Sequence, residues 1–134
     1  MDLYAENILE HYRHPRCRGA LPGASVEHEE RNVSCGDTLT VRLRIEADRV
    51  AEVAWDGAGC AISQAAMSIL SEELIGKSLD DIAALGAAEI RALLGVPVGT
   101  RRAKCAFLCL HALQNALHVL RAEAPQDWAT TLRE

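Results

Sequence analysis

The chain has 134 residues, of which 49% are hydrophobic and 25% charged, with a formal net charge of −5. This length and apolar content predict one globular domain, residues 1–134, with a single hydrophobic core. The acidic balance argues against a nucleic-acid partner, and the longest apolar run, residues 105–110, is too short to cross a bilayer. Because the first residues also lack a basic and apolar leader, we expect a cytoplasmic protein with no membrane partner.

The first half of the chain predicts a helix followed by three strands. Residues 2–14 have apolar side chains at helical spacing, with Asp2 as a cap and Pro15 as a stop. Strands are predicted over residues 26–34, 39–45 and 50–55, and the turn at Asp48 and Arg49 favours an antiparallel meander. We expect residues 56–60 to form a loop.

The second half of the chain predicts helices only. They cover residues 61–75, 78–85, 87–94 and 102–123, and the last of them has the cleanest apolar face in the sequence. The predicted fold class is therefore α+β, with a small antiparallel sheet packed against helices.

Cysteines are the residues that point to chemistry. There are five of them, an odd number in a chain without an export signal, so reduced thiols are expected rather than a disulfide framework. Cys35, Cys60 and Cys105 each fall where one predicted element gives way to another. Folding of a small α+β domain brings such element ends together, so one pocket is expected to hold all three thiols.

A carboxylate accompanies these thiols, because Asp37 follows Cys35 after a single glycine. Glycine adopts backbone angles that other residues avoid, so a Cys-Gly-Asp bend aims a sulfur and an oxygen at one point. With Cys60 and Cys105, the set suits tetrahedral zinc or the iron of an iron–sulfur cluster. Asp37 is expected to be the most easily displaced ligand, since a soft metal prefers sulfur to oxygen.

The residues around this set are open to two interpretations. Arg101, Arg102 and Lys104 lie at a predicted helix start, where the macrodipole disfavours cations. They would either offset the charge of nearby thiolates or form a solvated helix start. Cys109 lies one helical turn beyond Cys105, where it would be either a spare thiol near the site or, as burial statistics favour, a packed core residue. Cys17 has no companion thiol nearby in the sequence, and the five histidines are expected at surface or core positions rather than as ligands.

The motifs resemble those of a known family, the scaffold proteins of iron–sulfur cluster assembly (the IscU, SufU and NifU amino-terminal group). The resemblance extends over nearly the whole chain and is carried by residues 8–16, the signature Asn32-x-x-Cys35-Gly36-Asp37, and residues 57–63 and 102–108. It implies a three-stranded antiparallel sheet covered by helices. It also implies that Cys35, Asp37, Cys60 and Cys105 bind zinc or a transient, nascent cluster.

The resemblance further implies partners and a place within the family. A cysteine desulfurase would supply sulfur as a persulfide, and apo iron–sulfur proteins or cluster carriers would receive the product. Lys104, immediately before the last cysteine, is similar to the SufU type, whereas the short separation of Cys60 and Cys105 is similar to the IscU type.

Three functions stay open from the sequence. The first is a scaffold on which a cluster is assembled, the second is a zinc-dependent sulfurtransferase that relays sulfur, and the third is a structural zinc domain for protein contacts. A scaffold is favoured over an enzyme. The sulfur acceptor would be Cys35 in the relay and Cys105 in an IscU-like scaffold.

Overall fold

The computed structural model describes residues 3–34 and 36–133, and these form an α+β fold with one three-stranded antiparallel sheet. The predicted fold class is thereby confirmed. The elements in chain order are α1 (Leu3–Arg13), β1 (Val26–Asn32), β2 (Asp37–Glu46), β3 (Arg49–Ala58), α2 (Ala61–Leu74), α3 (Leu79–Ala84), α4 (Ala87–Leu94), a single 3-10 turn (Thr100–Arg102), α5 (Ala103–Leu120) and α6 (Trp128–Thr131).

The sheet buries one face under the helices. Leu39, Val41 and Leu43 of the central strand β2 are at most 1% exposed, whereas the residues between them lie on the opposite, more accessible face. This alternation is the period of two that the sequence shows. Helix α5 packs across β1 and β2, and α2 packs against β3 and α5, so the core lies between the sheet and these two helices.

Strand β3 is longer than the sequence predicts. Residues 56–58 were expected in a loop, but they continue the pairing with β2, with Gly57 opposite Leu39 and Ala58 opposite Thr38. Glycine commonly weakens a strand, which is why the pattern suggested a loop. Here it permits a close approach, because a Cβ on Gly57 would lie 2.4 Å from the carbonyl oxygen of Thr38. The extension carries the chain to Cys60 beside the start of β2.

Helix α5 is the central helix of the fold. Residues 105–117 are all buried, since the sheet, α2, α3, α4 and α6 surround this helix. It is shorter than predicted, ending at Leu120, and the short helix α6 that follows was not predicted at all. The Asp127 side chain accepts a hydrogen bond from the Thr130 N–H and caps α6, so a local signal for this helix is present in the sequence.

The predicted cap Asp2 lies outside the described residues. Within residues 3–34 and 36–133, the structure has no helix with both the length and the apolar character needed to cross a membrane.

Two buried histidines make stability depend on pH. His11 Nδ1 lies 2.7 Å from the Ser68 hydroxyl, and His111 Nδ1 lies 2.6 Å from the Thr131 hydroxyl. Burial lowers the pKa of both imidazoles below 6.5, against the opposing effect of neighbouring carboxylates such as Glu30. The folded protein therefore favours the neutral form of both rings.

We expect the free energy of unfolding to fall as the pH drops through 6.5, because the unfolded chain then binds protons that the folded chain resists. Above 6.5 the contribution is fully present, and below the lowered pKa values it is lost. Urea unfolding at a series of pH values measures this dependence. The double variant His11→Gln/His111→Gln should flatten it, and an unchanged slope in that variant would contradict the assignment.

Candidate metal centre

The turn between β1 and β2 brings the signature residues to one end of the sheet. Asn32 closes β1 and pairs with Asp37, the first residue of β2. Gly36 has a φ of +77°, in the left-handed region, and its N–H donates to the Asn32 carbonyl at 2.7 Å. This is the backbone freedom that the Cys-Gly-Asp pattern requires. Cys35 lies outside the described residues, so its role stays a prediction.

The Asp37 carboxylate is held against Cys60. Asp37 is only 1% exposed, and its Oδ1 accepts a hydrogen bond from the Cys60 N–H at 2.9 Å. Its Oδ2 accepts from the Cys60 Sγ at 3.3 Å. One carboxylate oxygen is thus fixed by the backbone, and the other is directed towards a sulfur.

Gly59 makes this contact possible. Its φ is +133°, and a Cβ built there would lie 2.1 Å from Asp37 Oδ1 and 2.9 Å from the Asp37 Cα. Both the backbone conformation and the space therefore exclude a side chain. The glycines of this segment are visible in the sequence, but the contact of Gly59 with the Asp37 side chain is not predictable from them.

Cys105 completes the described part of the centre. It is the third residue of α5 and is 8% exposed. A carboxylate oxygen of Asp37, the Cys60 sulfur and the Cys105 sulfur all lie within 4.8 Å of one another. Asn32 also reaches this cluster, since its Nδ2 donates to the Cys105 sulfur at 3.9 Å. The structure therefore brings together the three predicted ligands that it describes.

The surroundings favour negative charge at the cluster. Helix α2 begins at Ala61, directly after Cys60, and α5 begins two residues before Cys105. Both sulfurs therefore belong to residues at the positive N-terminal ends of helices. Two thiols and a carboxylate form a donor set that fits zinc or iron, whereas magnesium and calcium prefer oxygen ligands alone.

The amino-acid sequence of this chain matches a known protein family. The family model described as "NifU-like N terminal domain" matches residues 3–125. The chain belongs to this family. The resemblance stated from the motifs is thereby confirmed.

Two curated relatives and one solved structure illustrate the range of the NifU-like family. The "Iron-sulfur cluster assembly scaffold protein IscU" of Thermotoga maritima is 39% identical over 62% of this chain and 58% of its own length. The "Zinc-dependent sulfurtransferase SufU" of Bacillus subtilis is 31% identical over 86% of this chain and 89% of its own length. A nitrogen-fixing NifU-like protein (N-terminal) from Brucella abortus has the same fold, with a TM-score of 0.75 at 23% identity over 91% of this chain and 96% of its own.

The basic residues that precede Cys105 in this NifU-like domain are exposed. Arg101 and Arg102 lie in the 3-10 turn before α5, at the surface. Lys104 directs its ammonium group over the ring of Trp128, 5.7 Å from the ring centroid. A role in offsetting thiolate charge stays a prediction for these three cations, and the structure adds an aromatic partner for one of them.

The other two described cysteines, Cys17 and Cys109, are not members of the cluster. Cys109 is fully buried and donates to the Ala106 carbonyl, and burial raises the pKa of its thiol to about 12. It is therefore a packing residue that stays protonated. Cys17 is exposed in the loop after α1, where its carbonyl accepts from the Trp55 N–H in the middle of β3.

Proposed function

We propose that this NifU-like domain accepts sulfur, delivered as a persulfide by a cysteine desulfurase, at a metal site formed by Cys35, Asp37, Cys60 and Cys105. The sulfur would then be used for iron–sulfur cluster formation, with an apo protein or a cluster carrier as the recipient. The observation that carries the proposal is the convergence of Asp37, Cys60 and Cys105 from three separate segments of the chain. The names of the two curated relatives support it.

A donor set that mixes sulfur and oxygen favours a metal site whose ligands can be exchanged over a permanently closed structural site. A structural zinc site is usually completed by cysteine and histidine, whereas this cluster includes a carboxylate that binds soft metals less firmly. Zinc bound here would keep its cysteine ligands in the thiolate form. Asp37 would keep one oxygen on the Cys60 N–H even when the other oxygen gives up its ligand position.

The transfer itself requires one accessible thiolate. That thiolate attacks the outer sulfur of the donor's persulfide, so a new S–S bond forms, the donor's S–S bond breaks, and the donor cysteine leaves as a thiolate. Cys105 is 8% exposed and lies beneath the Asn32 amide, which disfavours its direct attack on a large partner. We propose Cys35 as the acceptor, which in the sequence falls between the end of β1 and the start of β2.

Once the sulfur has been accepted, it can be used in two ways, either for cluster assembly on this protein as a scaffold or for relay to another protein. In the scaffold, a thiol reductant reduces the persulfide to sulfide, and iron joins it on the three cysteines as cargo. In the relay, the persulfide passes to another protein while zinc stays bound. The similarity to a protein named as a zinc-dependent sulfurtransferase over most of both chains favours the relay.

A single reconstitution tests acceptance and separates the two uses of the sulfur. The purified zinc-loaded protein is mixed with a cysteine desulfurase and cysteine, with or without ferrous iron and a thiol reductant. We expect mass spectrometry to find one added sulfur on the Cys35 peptide, and the variant Cys35→Ser to lack it. No added sulfur on any cysteine of the wild-type protein would refute the function.

The same reaction shows which use applies. Retained zinc without a visible chromophore would support the relay, and a chromophore that can be transferred to an apo iron–sulfur protein would support the scaffold. The variant Cys109→Ser serves as the matched control, because Cys109 is a fully buried thiol that is not one of the three converging ligands. It should accept sulfur as the wild type does.

A further inference from the structure

Asn32 is a buried polar residue that links two halves of the metal centre. It is 3% exposed and lies at the end of β1. Its Oδ1 accepts from the Ser34 N–H at 3.3 Å, and its Nδ2 donates to the Cys105 sulfur at 3.9 Å. One amide thus connects the turn before Asp37 to the first turn of α5, and Asn32 and Cys105 are 73 positions apart in the sequence.

The chemistry of this contact suits a metal-binding thiolate. A sulfur that accepts an N–H bond is held in one orientation, and the bond stabilises its negative charge. An amide does so without a formal charge, so it does not repel a cation as a lysine in the same place would. The contact is long, which indicates orientation of the sulfur rather than strong binding of it.

We propose that Asn32 is a positioning residue that holds the Cys105 sulfur towards Asp37 and Cys60, so that Cys105 stays bound to the metal while another ligand is exchanged. This role deepens the proposed function and rests on it for its purpose. The contact itself concerns metal binding and is testable without any sulfur donor. Asn32 touches a ligand, not the sulfur that is transferred.

The main test compares two substitutions of nearly equal size. Asn32→Asp keeps an acceptor for the Ser34 N–H but places a negative oxygen where the sulfur now meets a donor. We expect zinc affinity, measured by competition with a chromophoric chelator, to fall by about 10–100-fold, the range found when partners of metal ligands are removed. Asn32→Ala removes the donor without adding a charge, so we expect its loss of zinc affinity to lie near the lower end of this range, about 10-fold.

Asn115→Asp is the matched control. Asn115 is also buried, and its Nδ2 donates to Glu30 Oε2 at 2.9 Å. Its replacement by aspartate would therefore also place a carboxylate oxygen against a hydrogen-bond acceptor, here the Glu30 carboxylate. It lies ten positions beyond Cys105 on α5, about 15 Å along the helix axis. We expect it to destabilise the fold without weakening zinc binding by the folded protein.

A second readout follows the sulfur directly. In the metal-free protein, alkylation by iodoacetamide is mapped by mass spectrometry, and Cys60 serves as the internal reference because it is the more exposed of the two thiols. We expect Asn32→Ala to raise the rate at Cys105 several-fold relative to Cys60. Asn115→Asp should leave that ratio as in the wild type.

The outcomes separate this inference from the proposed function. A loss of zinc affinity of less than about twofold in Asn32→Asp, or no larger than in Asn115→Asp, would overturn the role of Asn32 even if the wild type accepts sulfur. A wild type that accepts no sulfur, together with the expected losses in the Asn32 variants, would refute the function and keep the inference. If Asn32→Asp does not fold by circular dichroism, Asn32→Ala decides on both readouts.

Discussion

Replacing Gly59 with alanine should abolish tight zinc binding and lower the free energy of unfolding by about 2–6 kcal/mol, the sum of backbone strain and overpacking. The strain arises because Gly59 has a φ of +133°, and the overpacking because the new Cβ would lie 2.1 Å from Asp37 Oδ1. Relief requires Asp37 to move, and that movement breaks its bond to the Cys60 N–H. Urea unfolding of the metal-free protein and zinc titration measure the two effects.

Gly19→Ala provides the control for this prediction. Gly19 has a similar φ of +147°, but no atom lies within 4 Å of the position that a Cβ would occupy. The substitution should therefore cost only the backbone strain, about 1–3 kcal/mol, and leave zinc affinity unchanged. Equal losses of stability and of zinc binding in the two variants would show that contact with Asp37 is not what excludes a side chain at Gly59.

Substitutions of Asp37 should separate its structural contact from its role as a ligand. Asp37→Ala leaves the Cys60 N–H without its acceptor, and we expect a loss of about 1–3 kcal/mol in the free energy of unfolding. Asp37→Asn keeps an oxygen for that N–H, so most of this stability should return. Both variants lose the negative charge and should bind zinc more weakly.

Asp37→Cys tests the importance of a weak ligand. A fourth thiolate should hold zinc more firmly than the carboxylate does, because zinc and iron sites favour sulfur. We expect tighter zinc binding and slower sulfur acceptance from the desulfurase in the same variant. Unchanged acceptance in both Asp37→Ala and Asp37→Cys, with unfolding on zinc removal, would instead identify a structural zinc domain.

The sequence predicted the parts of the site that depend on chain order. Because Asp37, Cys60 and Cys105 lie at junctions between elements, a small α+β fold was expected to bring them together, and it does. The buried face of β2 was equally clear, since apolar and polar residues alternate along it with the period of a strand.

What the sequence did not predict are contacts made between elements. The fit of Gly59 against Asp37 and the bond from Asn32 to Cys105 depend on the three-dimensional approach of segments, which no local periodicity records. The continuation of β3 through Gly57 was missed for a related reason, because the partner strand stabilises a residue that has low strand propensity alone. Asn32 was visible in the signature, but only its burial beside Cys105 suggests a role.

The hydrogen bond from the Cys60 thiol to Asp37 has a consequence for calorimetry. Any cation that enters between these two atoms must displace the shared hydrogen, so loading the site releases acid into the medium. The heat of zinc titration should therefore vary with the ionisation enthalpy of the buffer. When this heat is plotted against the ionisation enthalpy of several buffers, the slope gives the number of protons released for each zinc ion bound.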